Sequence, residues 1–260
     1  MKPRFFFNLF LAALPALAQL PPPNSAGVSA GHEHLMVKDL EAHNRFWTAL
    51  GGVPVQLGQL KMIKVPGVYI LARQGDPKGG SEGSTVEYIG FKVKNLKESL
   101  AKWAAGGIEP LPGGTSTQVF LMAPGDVKLK MTEDKSLSTS IASDELKMNV
   151  PNVKEAEAWY AKYFGAKLVK HGKETVGDIP GSNILFTEVK EPAAGTKGRG
   201  LDHIGLEVKN LEELCKRLVA DGIKLDTPYR APANVPLGIA VLTDPWGTYI
   251  ELNEGFASAP

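Results

Sequence analysis

A single cysteine, Cys215, is present in the chain. With no second thiol there is no internal disulfide, so the fold must rest on its core alone. Leu211, Leu214 and Leu218 flank Cys215 at helical spacing, which reads it as a small core-facing residue and not a nucleophile. An excess of one charge is also missing. The 29 basic and 28 acidic residues leave a formal charge of +1, which offers no footprint for nucleic acid. The sequence has no phosphate-binding glycine loop and no serine–histidine–aspartate set. Its apolar N-terminal run is too short to serve as a permanent membrane anchor.

Glycine (28) and proline (19) are plentiful, which predicts many turns and short elements. The opening MKPRFFFNLFLAALPALAQ has two basic residues, an apolar stretch and a small-x-small end at Ala16-Leu17-Ala18. That is the layout of a secretory signal peptide, residues 1–18, with cleavage expected after Ala18. The expected product is periplasmic or extracellular, with no membrane partner once the signal is removed. Residues 19–30, QLPPPNSAGVSA, read as a disordered leader.

The strongest signal is internal repetition. DHIGLEVKNLEELCKRLVADGIKL runs without a gap alongside EYIGFKVKNLKESLAKWAAGGIEP, and HEHLMVKDLEAHNRFWTALGG matches ELKMNVPNVKEAEAWYAKYFGA more weakly. The chain therefore reads as four copies of strand–helix–strand–strand–strand, each of roughly 50 residues. The polar, serine-rich stretch DKSLSTSIAS, residues 134–143, marks the expected domain boundary.

Strand alternation assigns faces. Ile204, Leu206 and Val208 share one side, and His203, Gly205 and Glu207 the other. Ile250 and Leu252 likewise oppose Tyr249 and Glu251, and Leu146, Met148 and Val150 oppose Glu145, Lys147 and Asn149. Helices must cover the apolar faces, so His203, Glu251 and Glu145 line an inner concavity. Trp159, Tyr160 and Phe164 follow helical spacing and read as core. His43 reads as surface, and His171 as a solvated loop residue.

A βαβββ unit paired into a cup lined by His and Glu resembles the vicinal oxygen chelate superfamily of glyoxalase I, extradiol dioxygenases and bleomycin-resistance-type binding proteins. The resemblance is carried by DHIGLEVKNL followed by TDPWGTYIEL, and it covers nearly all of 31 to 255. It implies an α+β fold of four βαβββ modules in two tandem glyoxalase-like domains, 31–133 and 144–255, with cup-shaped mixed sheets. It also implies a divalent metal (Mn, Fe, Ni, Zn or Mg) in the second domain, held by Glu145, His203 and Glu251. Glu251 and Glu145 would double as proton shuttles. Asn183 and Glu188 both remain open as a fourth ligand. Asn183 is alternatively a substrate contact, as is Arg230, whose guanidinium suits an anionic group, although the residue reads first as a surface position.

At the matching positions the first domain has His32, Tyr88 and Lys130, and an ammonium in the place of a ligand carboxylate argues against a metal there. His32 and His34, two apart on one strand face, leave a separate two-histidine site open. The function implied is a lyase, isomerase or dioxygenase-like reaction on a small oxygen-chelating substrate. The alternatives are a metal-free small-molecule-binding protein of the bleomycin-resistance type and a purely structural module. Four units complete two cups internally, so a monomer or a homodimer is expected.

Overall fold

The computed structural model describes residues 20–171, 174–233 and 235–260. The expected signal peptide lies outside them. Module one comprises β1 (Val28–Val37), α1 (Leu40–Leu50), β2 (Val53–Leu57), β3 (Leu60–Val65) and β4 (Val68–Gln74). Module two has β5 (Val86–Val93), α2 (Leu96–Ala105), β6 (Gln118–Ala123) and β7 (Val127–Glu133). Module three has β8 (Ile141–Val150), α3 (Val153–Phe164), β9 (Lys167–His171), β10 (Glu174–Ile179) and β11 (Ser182–Glu188). Module four has β12 (Leu201–Val208), α4 (Leu211–Ala220), β13 (Leu225–Arg230), β14 (Gly238–Thr243) and β15 (Tyr249–Glu254).

The four-fold repeat is therefore real, but module two is one strand short. Its helix is followed by IEPLPGGTST, where two prolines remove ladder donors and two glycines favour turns. Helices α1, α2 and α3 start alike. Asp39, Asn95 and Asn152 each accept a backbone N–H of the first turn, which satisfies a donor that the helix itself leaves unpaired. α1 and α3 end on left-handed glycines, Gly51 and Gly165. Each helix buries its apolar stripe against the outer sheet faces. Trp47, Trp103, Tyr160 and Phe164 are almost wholly buried there, as is Cys215, whose thiol burial pushes up to about 11. His43 belongs to this core and not to the surface: it lies on the stripe of α1 with Trp47 and Leu50.

The pairing of modules differs from the expected one. The eight-stranded sheet runs β13-β14-β15-β12-β1-β4-β3-β2, and the seven-stranded sheet runs β6-β7-β5-β8-β11-β10-β9. Modules one and four thus share one sheet, joined by antiparallel β1 and β12, while modules two and three share the other through β5 and β8. The polar stretch 134–143 does not separate two sheets; it links β7 to β8 within one of them.

The expected leader is likewise ordered from Leu20 onward. Leu20 is buried, β1 begins at Val28, and Asn24 donates through Nδ2 to the carbonyls of Phe164 and Gly165 at 2.8 and 3.2 Å. That side chain caps the C-terminus of α3, where helix carbonyls have no internal partner. Among the described residues no helix is long and apolar enough to cross a membrane.

Candidate metal centre

The antiparallel register of β1 and β12 sets His34 opposite His203 and His32 opposite Gly205, with a bulge on either side of this stretch. β15 then places Glu251 beside Gly205, and β4 places Tyr69 beside His32. The inner face of the outer-module sheet therefore gathers His32, His34, His203, Glu251 and Tyr69. The three histidines each offer a nitrogen, and these nitrogens lie within 4.8 Å of one another. His203 Nε2 is 3.4 Å from Glu251 Oε2. The rings of His34 and His203 have centroids 4.5 Å apart.

Burial decides the electrostatics. His32 is 0% exposed and His203 is 5% exposed. Burial, and then the neighbouring His203, hold His32 well below the ordinary imidazole pKa; the same causes act on His34. Both imidazoles are thus neutral at physiological pH and carry lone pairs. Neither nitrogen of His32 has a hydrogen-bond partner, and Nε2 of His34 and of His203 are also unpartnered. Each such orphan costs about 1–3 kcal/mol unless something satisfies it. A cation does so for several lone pairs at once.

His203 is further oriented by its own neighbour. Asp202 Oδ2 lies 2.8 Å from His203 Nδ1. The other oxygen of Asp202 accepts from Arg73 at 2.9 Å and from the Gly198 N–H at 2.6 Å. Burial alone would raise the Asp202 carboxyl, but His203, the Gly198 amide and Arg73 outweigh it and hold it below the usual carboxylate range. An ionised acceptor beside Nδ1 favours the tautomer that carries its proton there and leaves Nε2 aimed at Glu251 and the other histidines. Glu251 is steadied in turn by Asn253, whose Nδ2 donates to Oε1 at 2.8 Å.

Glu145 does not join His203 and Glu251. It lies on β8 in the other sheet, opposite Gly90 and beside Asn183, and Gly90 lies beside Lys130. Its Oε1 accepts from Lys130 Nζ at 2.7 Å and from the Tyr88 hydroxyl at 2.8 Å. The ammonium sits where an ion would, so this cup pairs its own charges. His32 is the residue that occupies, beside His203, the position expected of Glu145. Asn183 and Glu188 are also in the inner-module sheet, away from the histidines. Asn183 Nδ2 donates to the Asp144 carbonyl at 3.2 Å and lines an open cavity of about 410 Å³ that does not reach the histidines. Arg230 ends β13 as an exposed edge residue and is not in a loop. Glu33 shares β1 with both histidines but points to the opposite face, among Leu146, Ile184 and Ile204. Burial holds its carboxyl well above the usual range, and it lies outside the site.

Known proteins agree with this architecture. Residues 142–252 match the profile of the Glyoxalase/Bleomycin resistance protein/Dioxygenase superfamily. Among curated proteins none is similar enough to match. Glyoxalase I from Zea mays superposes with a TM-score of 0.65 at 13% identity, covering 89% of this chain and 94% of that one. A mutant of the same maize enzyme gives 0.68 at 12% identity, covering 89% and 95%. A provisionally assigned dioxygenase from Bacillus subtilis gives 0.63 at 13% identity, covering 92% and 88%. At such identities the likeness shows the fold. Residues 142–252 thus match the glyoxalase, bleomycin-resistance and dioxygenase superfamily, and the chain as a whole shares the two-domain fold of glyoxalase I.

Proposed function

We propose that the protein is an exported metal-dependent enzyme acting on a small substrate with paired oxygens. His32, His203 and Glu251 would hold a divalent ion, with His34 as a further donor. The observation that carries this reading is the convergence of His32, His34 and His203, each with a ring nitrogen that has no hydrogen-bond partner. A metal-free apolar ligand would leave those nitrogens unsatisfied, which disfavours the binding-protein alternative. Three imidazoles and one carboxylate suit a borderline first-row ion such as Zn, Fe(II), Ni or Mn, whereas Mg prefers oxygen donors throughout.

Such an ion supplies Lewis acidity toward a pair of substrate oxygens. The chain's own residues do the rest. Asp202 and Arg73 hold the His203 ring in one tautomer and one orientation. Glu251, partly exposed and braced by Asn253, is placed to take a proton from a substrate carbon beside those oxygens and return it. The reading covers lyase, isomerase and dioxygenase-type reactions; the fold's named neighbours are a glyoxalase I and a provisionally assigned dioxygenase. The basic, apolar, small-x-small N-terminal pattern supports export.

Elemental analysis of the protein as isolated, followed by thermal shifts with Zn, Ni and Mn, tests the site. At metal concentrations 100-fold above Kd the stabilisation is about 2.7 kcal/mol. It should appear in the wild type and in Glu145→Ala and vanish in His32→Ala and His203→Ala. Equal shifts in all four proteins would overturn the assignment.

A further inference from the structure

One flank of the histidine cluster is closed by the chain itself. Gly255, with φ 129°, turns the chain after β15, and Phe256–Ser258 form a single 3-10 turn on the inner face of the sheet. Phe256 is 1% exposed, with its ring 5.2 Å from that of His32 and 5.7 Å from that of Tyr69. Glu207, on the same inner face as His203, accepts the N–H groups of Gly255, Phe256 and Ala257 at 2.9, 3.2 and 3.1 Å. The Tyr69 hydroxyl donates to the Ala259 carbonyl at 3.3 Å. Phe256 and Ala259 pack with Leu20, Met62 and Leu237 in an apolar cluster separate from the main core.

The two flanks differ. On the Glu251 side the carboxylate is 22% exposed, enough for a hydrated ion to reach it. On the His32 side the Phe256 ring already fills the space beside the imidazole. The segment carrying that ring belongs to no sheet and is held by one carboxylate, one phenol and the packing of Phe256 and Ala259 in their apolar cluster. Because no strand pairs with it, the segment can move as a unit while the strands beneath keep their ladders.

We propose that Gly255–Ala259 is a displaceable strap over the site, and that Phe256 holds the place of the apolar part of the substrate. The molecule admitted then carries paired oxygens at one end and a flat apolar body at the other. The ligand class rests on the metal reading above; the strap does not.

Diethyl pyrocarbonate labelling of the metal-free full-length protein, read by mass spectrometry at each histidine, tests the strap. Exposed His171 and core His43, away from the strap, serve as internal references. Phe256→Ala and Glu207→Gln should raise the labelling rate of His32 about ten-fold relative to both references. Tyr69→Phe, which removes one hydroxyl, should give a smaller rise and serves if Glu207→Gln fails to fold. An unchanged His32 rate, or a parallel rise at His43 that signals general unfolding, overturns the strap. For the ligand class, the probes are tropolone, a flat ring with adjacent oxygens, and acetohydroxamate, which has the oxygens without the ring. Both are titrated into cobalt-loaded protein and followed by the visible spectrum. Phe256→Ala should bind tropolone at least ten-fold more tightly than the wild type and leave acetohydroxamate within two-fold. Equal or weaker tropolone binding overturns the ligand class. A wild type that takes up no cobalt overturns the metal reading and the ligand class together, while the labelling rates still decide the strap.

Discussion

Gly205 stands directly across from His32, and a β-carbon built on Gly205 would land on the His32 ring. The missing side chain on β12 is what lets the imidazole from β1 lie over the sheet beside His203. The inner-module sheet repeats the arrangement, since Gly90 is opposite Glu145 and a β-carbon there would strike the Glu145 side chain. Gly205→Ala should therefore push His32 out of place. The metal-induced thermal shift should fall at least ten-fold in apparent affinity, with a stability loss of about 1–3 kcal/mol from overpacking. Gly90→Ala should cost similar stability and leave metal uptake intact. Loss of uptake in both variants would refute the division of labour between the cups.

Asp202→Asn keeps the shape beside His203 and removes the charge that fixes its tautomer. Changes to the acceptor behind a ligating histidine weaken metal affinity by about 10–100-fold. A competition titration against a chromogenic chelator should show a drop of that size. Arg73→Ala, which removes only one partner of Asp202, should give a smaller one.

Acid should destabilise the metal-free protein through its buried histidines. Burial pushes His43 down to about 4, while an unfolded histidine titrates near 6.5. A group whose folded pKa is depressed takes its proton first in the unfolded chain. The stability it supports is therefore complete above pH 6.5 and is lost as pH falls toward 4. For His43 alone the loss is about 3 kcal/mol. His32 and His34 are lowered in the same direction and add to it. Urea titrations at pH 7 and pH 4 should show His43→Gln losing about 2–3 kcal/mol less over this interval than the wild type. A wild-type slope retained in that variant would contradict the account.

Lys130→Met leaves the Glu145 carboxylate, among the described residues, with the Tyr88 hydroxyl as its one remaining side-chain hydrogen-bond donor. The pair is largely buried, at 19% and 12% side-chain exposure, so removing the ammonium should cost about 2 kcal/mol. The metal-induced shift should be unaltered, because this ion pair belongs to the other sheet. A Lys130→Met protein with altered metal affinity would show the two cups to be coupled.

Much of this was legible in the residues. Alternation put His203 and Glu251 on the inner face of their strands, and the repeat gave four modules with their helices in place. The partner of His203 was misassigned, because a repeat reports what each module is and carries no information on which modules share a sheet. Pairing neighbours in sequence predicts Glu145; the actual pairing of the first module with the last brings in His32. The pattern HEH at 32–34 did mark two histidines on one strand face, but only the register with β12 gives them a third. His43 was misread for a similar reason: histidine is common at surfaces, and the apolar stripe through Trp47 and Leu50 was the better guide. The ordered segment from Leu20 followed from side chains far away, since Asn24 is held by the end of α3.

Joining the first module to the last has a cost in time. β1 starts at residue 28, and its neighbour β12 only at residue 201. A ribosome adding roughly 5–20 residues per second needs roughly ten to thirty seconds to cover that distance. Throughout that interval the nascent β1 keeps one edge bare, with two histidines beside it and nothing opposite. The inner sheet can close first, leaving the histidine-bearing edge as the last seam in the molecule to be sewn and the step at which a folding helper would have most to protect.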